Sequence, residues 1–190
     1  MKNTLRLGLL LSALSISPLT AASAETYTID PMHTSATWTI NHFDFSHPWG
    51  KFAMITGTLT LDEKNPANSQ VSVTIPIGNL VTGIDKLDEH LKSKDFFDAA
   101  TYPDATFASS KVTPTGDKTA KVDGILTLHG VSHPVTLDVT LNKIGPNFMK
   151  KQTAGFSATA MIKRSDFGMN AYAPGLGDEV KLYIESEANL

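Results

Sequence analysis

Val135-Thr136-Leu137-Asp138-Val139-Thr140-Leu141 alternates apolar and polar residues without a break. In an extended chain successive side chains point to opposite faces, so the four aliphatic residues share one face and Thr136, Asp138 and Thr140 share the other. This is the period of a strand with one greasy and one wet face. The pattern returns at Val71, Val73, Ile75 and Ile77, and further strands are expected near 26–30, 34–42, 51–62, 70–77, 105–113, 119–128, 133–144, 154–164 and 179–188. Turn residues separate them, as in Asn65-Pro66-Ala67-Asn68, Pro114-Thr115-Gly116-Asp117 and Gly145-Pro146-Asn147. Such a sheet must close on itself or pack on a second sheet. Gly57 and Gly124 fall inside strand patterns, where glycine marks a bulge or bend. Curling of this kind favours a closed antiparallel barrel over a flat sandwich.

One segment breaks the period. Ile84, Leu87 and Leu91 fall three and four apart, which predicts a helix over 85–94, with Thr82 or Asp85 capping its start and Asp88 paired with Lys92. The segment is too polar for a core helix, so it is expected to cap one end of the barrel.

The beginning of the chain reads as a targeting segment. Lys2 and Arg6 precede an apolar stretch from Leu7 to Ile16, and Ala22-Ser23-Ala24 offers small residues for cleavage, so 1–24 is expected to be a removed signal peptide and 25–190 one domain. Ser12, Ser15, Ser17 and Pro18 interrupt the apolar run and argue against a membrane anchor. Lys2 and Arg6 leave with the segment, so 16 basic and 19 acidic residues become 14 and 19. An acidic surface repels phosphate backbones, and nucleic acid is not an expected partner. Export together with zero cysteine places stability in the core and points to the periplasm.

Catalytic and metal-binding patterns are weak. His42 and His47 are five apart, and His129 and His133 straddle Gly130 in an apparent turn, so neither pair has the helical spacing of a zinc site. There is no Gly-x-Ser-x-Gly elbow, phosphate loop or dinucleotide fingerprint. Asp88-Glu89-His90 reads as a solvated helix face. No catalytic residue and no metal is expected, although a hydrolase of apolar esters stays open as an alternative.

Several separate stretches resemble the YceI-like family of exported, lipocalin-like lipid-binding proteins. They are Tyr27-Thr28-Ile29-Asp30 with His33, Gly57 followed by Thr58-Leu59-Thr60-Leu61-Asp62, and the block from Asp88 to Ala99. Tyr102-Pro103 with Phe107, Gly124 to Val131, and Arg164-Ser165-Asp166-Phe167-Gly168-Met169 complete the set, in order, from residue 26 to about 188. The resemblance implies an extended eight-stranded antiparallel barrel holding a long-chain amphiphile such as a polyisoprenoid or quinone-like lipid, with no catalysis. The chain departs from the pattern at Leu87 and at His47-Pro48-Trp49, both expected at the barrel mouth.

An eight-stranded barrel is just wide enough to fill with side chains or to hold one small ligand. Ala154, Gly155, Ala158 and Ala160 on strand 154–164 leave space, which favours a hollow interior. The expected lining is Trp38, Ile40, Phe52, Phe107, Phe156, Ala158, Ala160, Phe167 and Met169. His33, Asp30, Arg164 and Asp166 are candidates to meet a headgroup; for Arg164 the competing reading is a salt bridge to Asp166 or Asp30 that fixes its loop. The expected partner is a lipophilic small molecule, with an inner-membrane cytochrome as an alternative docking partner and a monomer or homodimer as the assembly.

Overall fold

The computed structural model of the protein describes residues 24–190. The signal-peptide expectation therefore lies, Ala24 apart, outside the described residues. The chain runs through β1 (Glu25–Ile29), β2 (Ser35–His42), β3 (Trp49–Ala53), β4 (Thr56–Leu61), β5 (Gln70–Pro76), β6 (Leu80–Val81) and helix α1 (Asp85–Lys92). It continues through β7 (Asp104–Pro114), β8 (Thr119–Leu128), β9 (Val131–Pro146), β10 (Gln152–Lys163) and β11 (Leu176–Asn189). No helix among the described residues is long and apolar enough to cross a membrane.

All pairings are antiparallel, and the order β1-β4-β5-β7-β8-β9-β10-β11 returns to β1 through Thr28 opposite Asn189 and Ile29 opposite Ala188. Eight staves thus close a barrel. The first is broken into β1 and β2, which run in the same direction along β11, by a turn at Asp30: its carboxylate accepts the Met32 N–H at 2.9 Å and its carbonyl accepts the His33 N–H at 3.2 Å. Beyond the break β2 takes over the edge of β11, with Trp38 opposite Leu182 and Ile40 opposite Val180. β3 and β4 form a second broken stave, divided where the sequence suggested one continuous strand over 51–62, and β6 extends β5 to pair with β3 at Phe52–Leu80.

The two strand glycines serve close approach. A Cβ on Gly57 would collide with the Ser72 carbonyl, and one on Gly124 would stand 2.6 Å from Phe107 Cε2, so the Phe107 ring occupies the place of a side chain. A bulge does occur near Gly124, but on the neighbouring β7, between Ser109 and Lys111.

The interior holds two buried clusters. One gathers Tyr27, Ile29, Leu59, Leu61, Ala154 and Ala188. Ala154 faces Ala188 across β10 and β11, and both are fully buried beside the fully buried Tyr27 ring. The small residues here make room for tyrosine rather than for a ligand, which corrects the sequence reading at Ala154. The other cluster lies toward the helix end and includes Trp38, Phe52, Leu80, Leu91, Phe96, Leu126 and Ile162.

α1 lies over that second cluster with Leu91 buried, whereas Ile84 is exposed and takes no part. Its start is not capped as expected. Ile84 occupies the cap position, and Asp88 instead reaches back to accept the Thr82 N–H at 2.7 Å and the Thr82 hydroxyl at 2.6 Å. Holding Thr82 commits the Asp88 carboxylate, and it forms no ion pair with Lys92 among the described residues.

Candidate ligand-binding cavity

Under α1 the barrel encloses a cavity of about 580 Å³. β2 supplies Ala36, Trp38, Ile40 and His42 to its wall, and the alternation that spaces them two apart is the period-two pattern of the strand. Across from β2 the wall comes from Leu126 and Leu128 of β8, while β10 adds Ile162 and β11 adds Val180 and Leu182. The roof is α1 and the turn after it, through Leu87, His90, Leu91, Phe96 and Phe97. Phe52 meets Phe97 edge to face at 5.3 Å, tying wall to roof.

The opening is ringed by aromatic groups. His90 packs on Phe96 at 5.1 Å, and Tyr172 stacks on Phe96 at 6.0 Å. Phe43, Ser46 and Pro48 come from the loop between β2 and β3. That loop is pinned by a reciprocal pair: Asn41 Nδ2–H donates to Asp44 at 2.8 Å and the Asp44 N–H donates to Asn41 Oδ1 at 2.8 Å. Pro48 and Leu87, two of the positions where the chain departs from the family pattern, both line the cavity.

Of the residues proposed from sequence, Trp38, Ile40, Phe52, Arg164 and Met169 line this space. Phe107, Ala160 and Phe167 lie in the same buried cluster without lining it. Phe156 packs against the Tyr27 cluster, and Ala158 borders a smaller hollow with Thr119, Val139 and Thr159. His33 and Asp166 are not among the lining. Asp166 lies on an exposed turn, 4.0 Å from His133 Nε2, and the neighbouring Phe167 carbonyl is 3.1 Å from His129 Nδ1, so both histidines of the sequence pair brace that turn. The helix expected to cap one end of the barrel forms the roof, with Leu87 and Leu91 of its expected apolar face on the cavity, whereas the parts played by His90, Phe96, Phe97 and the Phe43 loop went unread in the sequence.

Arg164 is 4 % exposed and forms no ion pair among the described residues, contrary to the expected bridge to Asp166 or Asp30. Its guanidinium donates from Nε to the Gly177 carbonyl at 2.8 Å, from Nη1 to Met169 at 2.7 Å and from Nη2 to Leu176 at 2.9 Å. One residue thereby closes the segment from 169 to 177 onto the end of β10. Burial pushes the guanidinium pKa down, and Asp178 nearby opposes that shift. Asp178 itself accepts the Ser165 N–H at 2.9 Å and the Ser165 hydroxyl at 2.8 Å.

Asp30, His33 and Glu187 bring ligand atoms within 4.8 Å of one another at the break in the first stave, away from the cavity lining. The hydrogen bond from His33 Nδ1 to Asp30 at 2.9 Å accounts for the arrangement: it raises the imidazole pKa and lowers that of the carboxyl. This exposed pair fixes the turn.

The comparisons with known proteins match this architecture over its whole length. Residues 27–188 fit the profile of the YceI-like domain. Protein YceI of Escherichia coli is 39% identical over 189 residues, covering 98% of this chain and 97% of that protein. The crystal structure of BcnA from Burkholderia cenocepacia superposes with a TM-score of 0.76 at 27% identity, over 84% of this chain and 99% of that one. A domain from Saccharophagus degradans, described as polyisoprenoid binding and implicated in plant cell wall breakdown, shares the fold with a TM-score of 0.66 at 15% identity, over 86% of this chain and 97% of that one. A closed barrel with one capping helix, matched from β1 to β11 by profile and by 39% identity, makes this chain a member of the YceI-like family.

Proposed function

We propose that this chain is a periplasmic binding protein that sequesters or carries one lipophilic amphiphile, of long-chain isoprenoid or quinone-like type, and performs no chemistry on it. The observation that carries the reading is the cavity itself: about 580 Å³, walled by aliphatic and aromatic side chains, within the range that holds one small molecule. No Asp, Glu, Asn or Gln lines it among the described residues. The polyisoprenoid binding described for the S. degradans domain, on the same fold, is consistent with it. The basic, apolar and small-residue pattern of residues 1–24 supports export.

Each buried methylene is worth about 0.8 kcal/mol, so a long tail moved from water would exceed any affinity ever observed. Such a lipid resides in a membrane, and its transfer into the barrel exchanges one apolar surrounding for another. The hydrophobic contributions nearly cancel, and selectivity falls to shape and to polar contacts. Native mass spectrometry with geranylgeraniol tests the reading. One prenol bound per chain, with no turnover of a p-nitrophenyl ester, supports it; absence of binding, or ester hydrolysis lost on a cavity substitution, contradicts it.

A second reading concerns delivery. Phe45 is 90% exposed, and Trp49, Ile84 and Tyr172 are exposed along the segments around the opening. Apolar side chains left in water there favour transient docking at a membrane surface or on a membrane protein, such as an inner-membrane cytochrome, where the ligand is handed over.

A further inference from the structure

The hairpin joining β9 to β10 carries an apolar tip into solvent. Phe148 is 90% exposed and Met149 60% exposed, and neither belongs to a buried cluster. The tip is held in one shape by Asn147. Its N–H donates to the Lys151 carbonyl at 2.8 Å, and its Oδ1 accepts the Met149 N–H at 2.9 Å and the Lys151 N–H at 3.1 Å. A turn organised by an asparagine side chain accepts any polar residue at its apex. Here it presents a phenylalanine.

The charge around that tip is of one sign. Lys143, Lys150 and Lys151 flank it, all exposed and none in an ion pair among the described residues. Between Asp138 and Asp166 the chain has no Asp or Glu, although acidic residues outnumber Lys and Arg by 19 to 16 overall. Lys150 takes φ +63°, a left-handed conformation that glycine or asparagine adopts more readily. The acidic side chains of the same barrel end stand on other elements: Glu25 and Glu63 beside the Tyr27 hydroxyl, Asp62 bonded to the Asn65 N–H at 2.8 Å, and Asp117 next to Lys118.

We propose that the β9–β10 hairpin seats the protein on an anionic phospholipid bilayer, with Phe148 and Met149 in the headgroup boundary and Lys143, Lys150 and Lys151 on the headgroups. An apolar tip enters the region where headgroups meet acyl chains, and lysines beside it keep their ammonium groups at the charged surface. A polar acidic partner would satisfy the lysines and leave Phe148 in water; the bilayer takes both. Ile162 at the cavity and Gln152 at the hairpin are ten residues apart on β10, about 25 Å of barrel height at strand rise and barrel tilt. The opening therefore faces away from the bilayer that the hairpin grips, and the aromatic groups around it are left for a second surface. This placement is independent of what the cavity holds.

Sedimentation with phosphatidylethanolamine vesicles, prepared with and without phosphatidylglycerol, tests the proposal. Phosphatidylglycerol should strengthen binding, and added salt should reverse the gain. Each lysine near an anionic surface is worth about fivefold, so the double variant Lys143→Glu, Lys151→Glu should lose roughly twentyfold or more on the anionic vesicles. Phe148→Ser should lose about tenfold on them, the burial of one aromatic side chain. The changed side chains are exposed, so thermal stability should stay where it is. Phe45→Asp, at the other end of the barrel, should keep the gain from phosphatidylglycerol. The proposal is overturned if phosphatidylglycerol adds nothing, if either hairpin variant binds the anionic vesicles as the wild type does, or if the gain disappears in Phe45→Asp. Each of these results leaves the cavity reading standing.

Discussion

The indole of Trp38 lies against Gly50 on the adjacent strand, with Cε2 2.6 Å and Nε1 3.0 Å from the place a Cβ would take at Gly50. Glycine here is a steric requirement of the cavity wall. Gly50→Ala should force the indole inward or off its rotamer and cost about 1–3 kcal/mol in urea denaturation. Trp38→Leu in the same chain should recover much of that loss, because the two positions share one contact. Additive losses in the double variant would show that the contact does not set the cost.

Arg164 makes a second, larger prediction. Arg164→Met keeps much of the stem but strips donors from the Gly177, Met169 and Leu176 carbonyls together. Stability should fall by about 3–5 kcal/mol, as when a buried charged network loses one member. Arg164→Lys should recover only part of this, since one ammonium cannot span three carbonyls set around a planar fork. A loss within 1 kcal/mol, on the scale of an ordinary surface change, would mean that the segment from 169 to 177 is held by other contacts.

Acid should loosen the capping helix. The Thr82 hydroxyl donating to Asp88 holds that carboxyl below its usual pKa, with the Thr82 N–H adding to the effect and burial opposing it. A carboxyl depressed in the folded state contributes fully above its unfolded value, near 4, and loses that contribution as pH falls through the folded value. Wild-type protein should therefore lose stability more steeply than Asp88→Asn in this acid range, with amide exchange in α1 rising first. Parallel pH curves for the two proteins would contradict it.

If the exposed side chains near the opening meet membranes, Phe45→Asp should weaken sedimentation with phosphatidylethanolamine vesicles without altering thermal stability. Phe45 touches little in the folded chain, being 90% exposed, so a drop in stability is not expected. Unchanged sedimentation would remove the membrane-docking reading.

The barrel was legible in sequence because period two is imposed residue by residue, and every long strand from β7 to β11 announces itself that way. The break between β1 and β2 was legible too, as separate strands over 26–30 and 34–42, but the one between β3 and β4 was not: Met54 and Ile55 continue the apolar run, and nothing in side-chain alternation marks a backbone that turns aside. Two-residue β6 is too short to show a period. Arg164 was singled out as a candidate to meet a headgroup, with a salt bridge as the competing reading, but its partners are main-chain carbonyls, one of them thirteen residues onward, and carbonyls leave no trace in residue identity. The small residues of β10 misled for a related reason. Ala154 reads as empty space until the fold brings Tyr27 against it. The capping helix was legible from the spacing of Leu87 and Leu91, but its polarity gave no sign that His90 and the turn through Phe96 and Phe97 also reach the cavity.

Ala36, in the wall of the cavity, offers the most direct test, because Ala36→Phe fills the space from within while leaving the mouth and Arg164 in place. Native mass spectrometry of the protein isolated from its own cells should find one lipid mass on the wild-type chain and none on Ala36→Phe. A bare wild-type chain, or equal lipid loading of the two proteins, would contradict the central claim that this cavity is where the ligand resides.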